Sequence, residues 1–163
     1  MTPWSEIDEM FYDMLEKDIH LFQYYQAVDD NSDPRELAEF RAHSCLKEAA
    51  TYLALNTEGD VNFTDYNEKR ACFNNDLTPI EKYILASVAA EIYMKRDVAR
   101  LAAFTVNFVP TDLQVFSPAN DRKTFMDMYA YVHNRNEELI DAYNAKDRTS
   151  LERLSLAFTA DDE

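Results

Sequence analysis

A single glycine, Gly59, stands in a chain of 163 residues. Loops that cradle phosphate need several residues that tolerate close backbone approach or a positive φ, so this count excludes dinucleotide-binding and P-loop architectures. Proline supplies the punctuation instead. Four of the five prolines come directly after a residue with a capping oxygen: Thr2-Pro3, Asp33-Pro34, Thr78-Pro79 and Ser117-Pro118. Proline at the first helical position loses only an N–H that would be orphaned there, while the preceding side chain accepts from the next free N–H groups. Each pair therefore marks a helix start. Asp33-Pro34-Arg35-Glu36 and Thr78-Pro79-Ile80-Glu81 add a glutamate that can reach back to the cap. Thr149-Ser150-Leu151-Glu152 has the same cap and carboxylate and opens a short amphipathic stretch.

The apolar periodicity agrees with these starts. Trp4, Ile7, Phe11, Met14 and Leu15 recur at helical spacing, and Ala38, Ala42, Cys45, Leu46, Ala49 and Leu53 form a stripe whose small residues allow a close helix neighbour. Ile80, Ile84, Leu85, Val88, Ala89 and Ile92 predict a central helix. Phe125, Met128, Tyr129, Val132, Leu139, Ile140 and Tyr143 make a last stripe, interrupted by Asn136. The sequence thus predicts a mainly α fold, a four-helix bundle with helices near 3–25, 34–55, 79–103 and 118–145. Apolar and polar residues alternate over 105–116 around Pro110, which predicts a short β-hairpin-like insertion before the last long helix. The stretch 56–76 reads as a long loop pinned by Val61, Phe63, Tyr66 and Phe73, or as a short helix from Asp65. The division expected is a bundle domain over 1–148 and a C-terminal docking segment, 149–163, with an acidic end.

With 16 Lys plus Arg against 31 Asp plus Glu, the formal charge is −15. Such a chain repels phosphate backbones and anionic membrane surfaces. A hydrophobic fraction of 47% still supports a packed core. No run approaches a membrane span, and the N-terminal residues carry Glu6, Asp8, Glu9 and Asp13, so neither a signal peptide nor a membrane partner is expected. Cys45 and Cys72 lack the spacing of a disulfide framework or zinc site and are expected as reduced thiols, Cys45 in the core.

Catalytic chemistry finds little purchase in these residues. Glu16 with His20 and Glu39 with His43 stand four apart and could present two metal ligands on one helix face, but the paired Glu-x-x-His pattern of di-iron bundles is absent. His133 reads as a boundary histidine. Neither cysteine has a base and an oxyanion hole beside it, and the Asp29-Asp30 and Glu137-Glu138 pairs fall in a loop and on a solvated face. No catalytic residue, metal or cofactor is expected. Ten tyrosines and ten phenylalanines build either a thick aromatic core or an outward-facing set of rings, and outward rings on a charged surface favour a protein interface. Tyr24, Tyr25, Phe108, Leu113, Val115 and Tyr131 are the candidate inter-subunit residues.

Three segments resemble a family of small helical head-to-tail connector proteins of tailed bacteriophages and prophages. They are Trp4-Ser5-Glu6-Ile7 with Phe11, Leu15, Asp18 and Phe22; Phe73-Asn74-Asn75-Asp76-Leu77-Thr78-Pro79-Ile80-Glu81 with Ile84-Leu85-Ala86; and Asp112-Leu113-Gln114-Val115-Phe116-Ser117-Pro118-Ala119-Asn120. The chain departs from that pattern at Tyr93-Met94-Lys95, where a Trp-Leu pair is expected, and in the acidic tail after Thr149. The resemblance implies a non-enzymatic neck adaptor in the virion, assembled in the host cytoplasm as a ring, usually twelve-fold, between portal and tail or tail-completion proteins. DNA would pass through without sequence-specific binding. Twelve copies at −15 would carry about −180 charges, and such a channel wall repels DNA during passage. The portal-facing contact is expected at Leu151, Leu154, Ser155 and Phe158, an apolar stripe on a short helix. A different reading of the same charge is an acidic DNA mimic that inhibits a nucleic-acid-binding protein, and a third is a small carboxylate metalloenzyme.

Overall fold

The computed structural model describes residues 1–15, 34–59, 61–107 and 118–154. Within them the chain is mainly α. Four helices, α1 (Trp4–Leu15), α2 (Pro34–Asn56), α3 (Pro79–Asn107) and α4 (Pro118–Asn144), are joined by a small antiparallel sheet. Its strands β1 (Thr2–Pro3), β2 (Tyr66–Asn67) and β3 (Cys72–Phe73) lie in the order β1-β3-β2. The helices α2, α3 and α4 begin at the prolines that the capping patterns mark.

The first helix starts one residue later than its Thr-Pro pair predicts. Thr2 pairs with Phe73 and Pro3 with Cys72. The Thr2 hydroxyl donates to the Asn75 carbonyl at 3.2 Å and accepts the Leu77 N–H at 2.9 Å. The oxygen that would cap α1 instead fastens the N-terminus to the loop that leads into α3. The continuation of this helix to residue 25 lies outside the described residues.

The described hairpin is β2–β3, within the stretch read as a loop or short helix. Asn67 makes the turn: its side chain accepts from the N–H groups of Lys69 and Arg70, and Ala71 adopts a left-handed φ of 46°. Glycine usually fills that conformation, and a chain with one glycine makes do with alanine here and with Leu151, at φ 59°, near its C-terminal end. Phe63 and Phe73 are buried and Tyr66 stands edge-on to Phe73, so aromatics do pin this connection. The insertion expected at 105–116 begins inside α3, which stays helical through Asn107; residues 108–117 lie outside the described set. Three residues of alternation are one helical turn as readily as a strand, which is why that boundary differs.

The long helix α3 packs against each of the other three helices. Ile84, Leu85, Val88, Ala89 and Ile92 bury against Trp4, Ile7 and Phe11 of α1 and against Ala42, Cys45, Leu46, Ala49, Ala50 and Leu53 of α2. The alanines keep α2 flat enough for close approach. Among the described side chains, helix α4 joins the core through its C-terminal half: Ile140 and Tyr143 are buried, whereas Met126, Met128 and Tyr131 are exposed. Among the described residues no helix is long and apolar enough to cross a membrane.

The packing of α2 on α3 leaves no room for added methylenes. Ala49→Leu is expected to lower unfolding free energy by about 1–3 kcal/mol, whereas Leu55→Ala, at an exposed position of the same helix, shifts it by less than about 0.5 kcal/mol. Urea unfolding of the two variants measures the difference.

Candidate functional site

The C-terminal end of α4 and the start of α3 meet around one buried carboxylate. Glu81 completes the predicted capping box: the Thr78 N–H donates to its Oε2 at 2.7 Å, and the Glu81 N–H donates to the Thr78 hydroxyl at 3.3 Å. Its side chain is 0% exposed. Tyr143 donates its hydroxyl to Oε1 at 2.8 Å, Arg148 Nε donates to Oε1 at 2.6 Å, and Arg148 Nη2 donates to Oε2 at 3.1 Å. The same guanidinium reaches the Asp76 carbonyl at 2.7 Å. One carboxylate thus ties the α3 cap, α4 and the segment after α4 together. Burial alone pushes the Glu81 carboxyl up, and the hydrogen bonds from Arg148, the Thr78 N–H and Tyr143 outweigh it and hold the group below its ordinary range.

Gly59 approaches this joint from the other side. A Cβ built on it would stand 3.2 Å from the Tyr143 hydroxyl oxygen. The chain's one glycine is therefore a place where backbone lies against the ring that serves Glu81.

The segment after α4 is a turn and not the short amphipathic helix its Thr-Ser-Leu-Glu pattern predicts. Asp147 takes the capping role: its Oδ1 accepts the N–H groups of Thr149 and Ser150, which hold its carboxyl below the ordinary range. Leu151 then turns left-handed, the Asp147 N–H donates to the Glu152 carbonyl at 2.8 Å, and the Leu154 N–H donates to the Ala145 carbonyl at 3.0 Å. As a result Leu151 and Leu154 do not share one stripe. Leu151 lines an apolar groove of about 350 Å³ with Pro79, Ile80, Tyr83, Ile84, Leu139 and Ala142, and Lys146 and Asp147 line it too. Leu154 lines an adjoining, more polar cleft of about 230 Å³ with Glu58, Gly59, Asn144 and Arg148, and Tyr143, Lys146 and Asp147 border both. Ser155 and Phe158 lie outside the described residues, as do Tyr24, Tyr25, Phe108, Leu113 and Val115. Tyr131, the remaining interface candidate, is 67% exposed on α4.

Above the groove a polar seam joins α3 to α4. Asn136, 1% exposed, is the residue that interrupts the α4 stripe, and it fits against the polar break in α3. Its amide donates to Glu91 Oε2 at 2.8 Å and to the Ser87 carbonyl at 3.2 Å, while the Ser87 hydroxyl donates to its Oδ1 at 2.6 Å. His133 Nδ1 lies 2.8 Å from Glu91 Oε1, its ring stacked on Tyr129. Arg135 sits over the Tyr83 ring and hydrogen-bonds its hydroxyl. None of Asn136, Glu91 and Arg148 stood out as a site residue in the sequence. The signal available for the first was a polar residue inside each of two facing stripes.

The other acidic and histidine pairs resolve into joints between elements. His43, four residues from Glu39, turns instead to Asp8 of α1, at 3.0 Å, with Trp4 edge-on to its ring. Glu39 is exposed, and Glu16 and His20 lie outside the described residues. Among the described residues no three His, Cys, Asp or Glu side chains gather as metal ligands would. Lys82 reaches Glu6, Arg96 reaches Glu48, and Lys47 reaches Glu68, so cations are placed where elements meet.

Arg148→Met is expected to cost about 3 kcal/mol, the lower end of what an unpaired buried carboxylate costs, because the arginine stem is part-exposed. The double variant Glu81→Met with Arg148→Met is expected to recover part of that loss in a urea double-mutant cycle. The sign with pH comes from the depressed carboxyl. Its contribution is complete above the unfolded value of about 4.3 and is lost as pH falls through the lower folded one, and the Glu81→Met variant lacks that acid dependence. At the alkaline end, the Tyr52 hydroxyl donates to Glu137, and this bond, reinforced by burial, pushes it up to about 12. That contribution is present below about pH 10 and is lost as pH rises through about 12. Burial also raises Tyr12 and Tyr129, so phenolate absorbance is expected to show a late-ionising class of tyrosines that Tyr52→Phe reduces by one.

Comparison of the chain with family models, with curated proteins and with solved structures gives no match in any of the three.

Proposed function

We propose that this protein is a structural subunit of a tailed-phage virion, a head-to-tail connector of the neck that assembles with its own copies into a ring between portal and tail and takes no enzymatic part. The observation that carries the reading is the open apolar groove between α3 and α4. Ile80 is 38% and Leu151 49% exposed there, on a chain whose formal charge is −15. An apolar slot of this kind suits a protein partner better than a polar substrate. The residues that resemble the connector family support the fold part of the reading: Trp4, Ile7, Phe11, Phe73, Leu77, Ile84 and Leu85 are buried, and Thr78 with Glu81 forms the α3 cap. The charge supports the remainder, since a ring of −15 subunits gives DNA a repulsive wall to pass along.

Molar mass in solution tests the proposal. Copies at −15 repel one another at low salt, so the assembled fraction is expected to rise as the Debye length falls from about 30 Å at 0.01 M to about 8 Å at 0.15 M salt. Light scattering across that range, with electron micrographs of closed rings and added portal protein as a further partner, reads the outcome. A chain that stays monomeric at every concentration and salt, and is captured as a monomer by a nuclease or polymerase, overturns the reading in favour of the acidic DNA mimic.

A further inference from the structure

In the segment that follows α4, residues 145–154, Arg148 is half-buried and every other residue is exposed. A segment without a buried side chain gains little from apolar packing, so its position depends on its polar ties. Some of these ties are internal. The Asp147 N–H donates to the Glu152 carbonyl at 2.8 Å, the Leu151 N–H to the Asp147 carbonyl at 3.0 Å and the Leu154 N–H to the Ala145 carbonyl at 3.0 Å, and Lys146 pairs with Arg153 in an antiparallel bridge. The segment is thereby folded back on itself as one piece. Toward the bundle, among the described residues, every hydrogen bond and ion pair from residues 147–154 is made by Arg148, to Glu81 and to the Asp76 carbonyl.

The piece has an anchor on one side of that clasp and a strained residue on the other. Just before it begins, the Asn144 amide donates to the Asn56 carbonyl at 2.9 Å, and the Asn144 Oδ1 accepts the Glu58 N–H at 3.1 Å, so the last residue of α4 is fixed to the end of α2. Beyond the clasp, Leu151 lines the groove in a left-handed conformation, unfavourable for a residue with a Cβ. With 49% of its surface still in water, it gains only part of what a seated leucine gains. Its seat beside the groove therefore depends on the bidentate Arg148 fork, and a fork on one carboxylate either holds or lets go.

We propose that residues 145–154 are a strap that swings as one piece about the Asn144 anchor, and that the Arg148 clasp on Glu81 decides whether Leu151 borders the α3–α4 groove or leaves it. The device goes beyond the proposed function and is independent of it, because anchor, clasp and strap all belong to one copy of the chain.

Three variants of the full chain test it. The double variant Glu81→Met with Arg148→Met removes the clasp without stranding a carboxylate, and circular dichroism checks its helices. Trypsin cuts after Lys146 and Arg153, which flank the clasp. In the double variant cutting there is expected to be about tenfold faster than in the unmodified chain. That rate is expected to be the same without urea and in about 1 M urea, because a swinging strap exposes little new surface whereas global unfolding responds to denaturant. Leu151→Gly removes the seated side chain and the strain but keeps the clasp, and is expected to be cut within about twofold of the unmodified rate. Nitroxide labels on Thr149→Cys and Glu138→Cys, both exposed positions while Cys45 and Cys72 are buried, read the swing directly. Their separation is expected to be narrowly distributed in the clasped chain and to broaden toward longer values when the double variant is added. Cutting that is not accelerated, or that rises steeply with urea, overturns the strap, since the segment then opens only with the bundle. A Leu151→Gly chain cut as fast as the double variant places the fastening at Leu151 and overturns the clasp, and an unchanged label separation overturns the swing.

Discussion

A carboxylate with no exposed surface stays ionised only when its oxygens are answered by donors, and Glu81 meets that condition with groups drawn from three parts of the chain. The local part is the capping box with Thr78, which any helix start can build. The distant part is Tyr143 and Arg148, and these convert a helix cap into a fastening between the beginning of α3 and the end of α4. Because α3 is the helix on which the other three pack, fixing its first turn also sets where α4 lies and where the chain leaves it. The left-handed Leu151, the groove it borders and the cleft beside Gly59 all depend on Arg148 being held at that point.

Elsewhere the fold relies on shape and on paired polar breaks. Alanines let α2 lie close to α3, and the aromatic rings of Trp4, Tyr66 and Phe73 lock α1 and the hairpin onto the same core. Ser87, Glu91 and Asn136 place a satisfied polar cluster inside the α3–α4 contact. A slip of one helix along the other would strand those groups without partners, so the cluster sets the register of that contact more strictly than apolar packing does. The excess of acid over base is organised in the same way: Lys82, Arg96 and Arg148 each bridge two elements, and carboxylates such as Glu39 and Glu138 face water.

The charge and the groove act together on association. A surface at −15 discourages indiscriminate contacts, and among the described residues the apolar slot is one place where burial would be favourable, alongside exposed rings and leucines such as Phe40, Leu55 and Tyr131.

The helices themselves were legible because their determinants are local. Asp33-Pro34, Thr78-Pro79 and Ser117-Pro118 set three starts, and the apolar spacings of Ala42 to Leu53 and of Ile84 to Ile92 named the buried faces. Where a local signal met a distant competitor, only the tertiary structure decided. Thr2 could cap a helix, but Leu77 and Asn75 were nearer partners for its hydroxyl. Thr149 could cap another, but Asp147 supplied the acceptor first and made a turn. The single glycine excluded whole fold classes on sight, yet its own task, lying against Tyr143, depends on a residue 84 positions away. Sequence by itself determined helix starts, core faces and net charge, since each is fixed within a few turns of chain; the buried clamp on Glu81, the strand pairing of the N-terminus and the groove beside Leu151 exist only once the bundle brings remote groups within hydrogen-bonding or van der Waals reach.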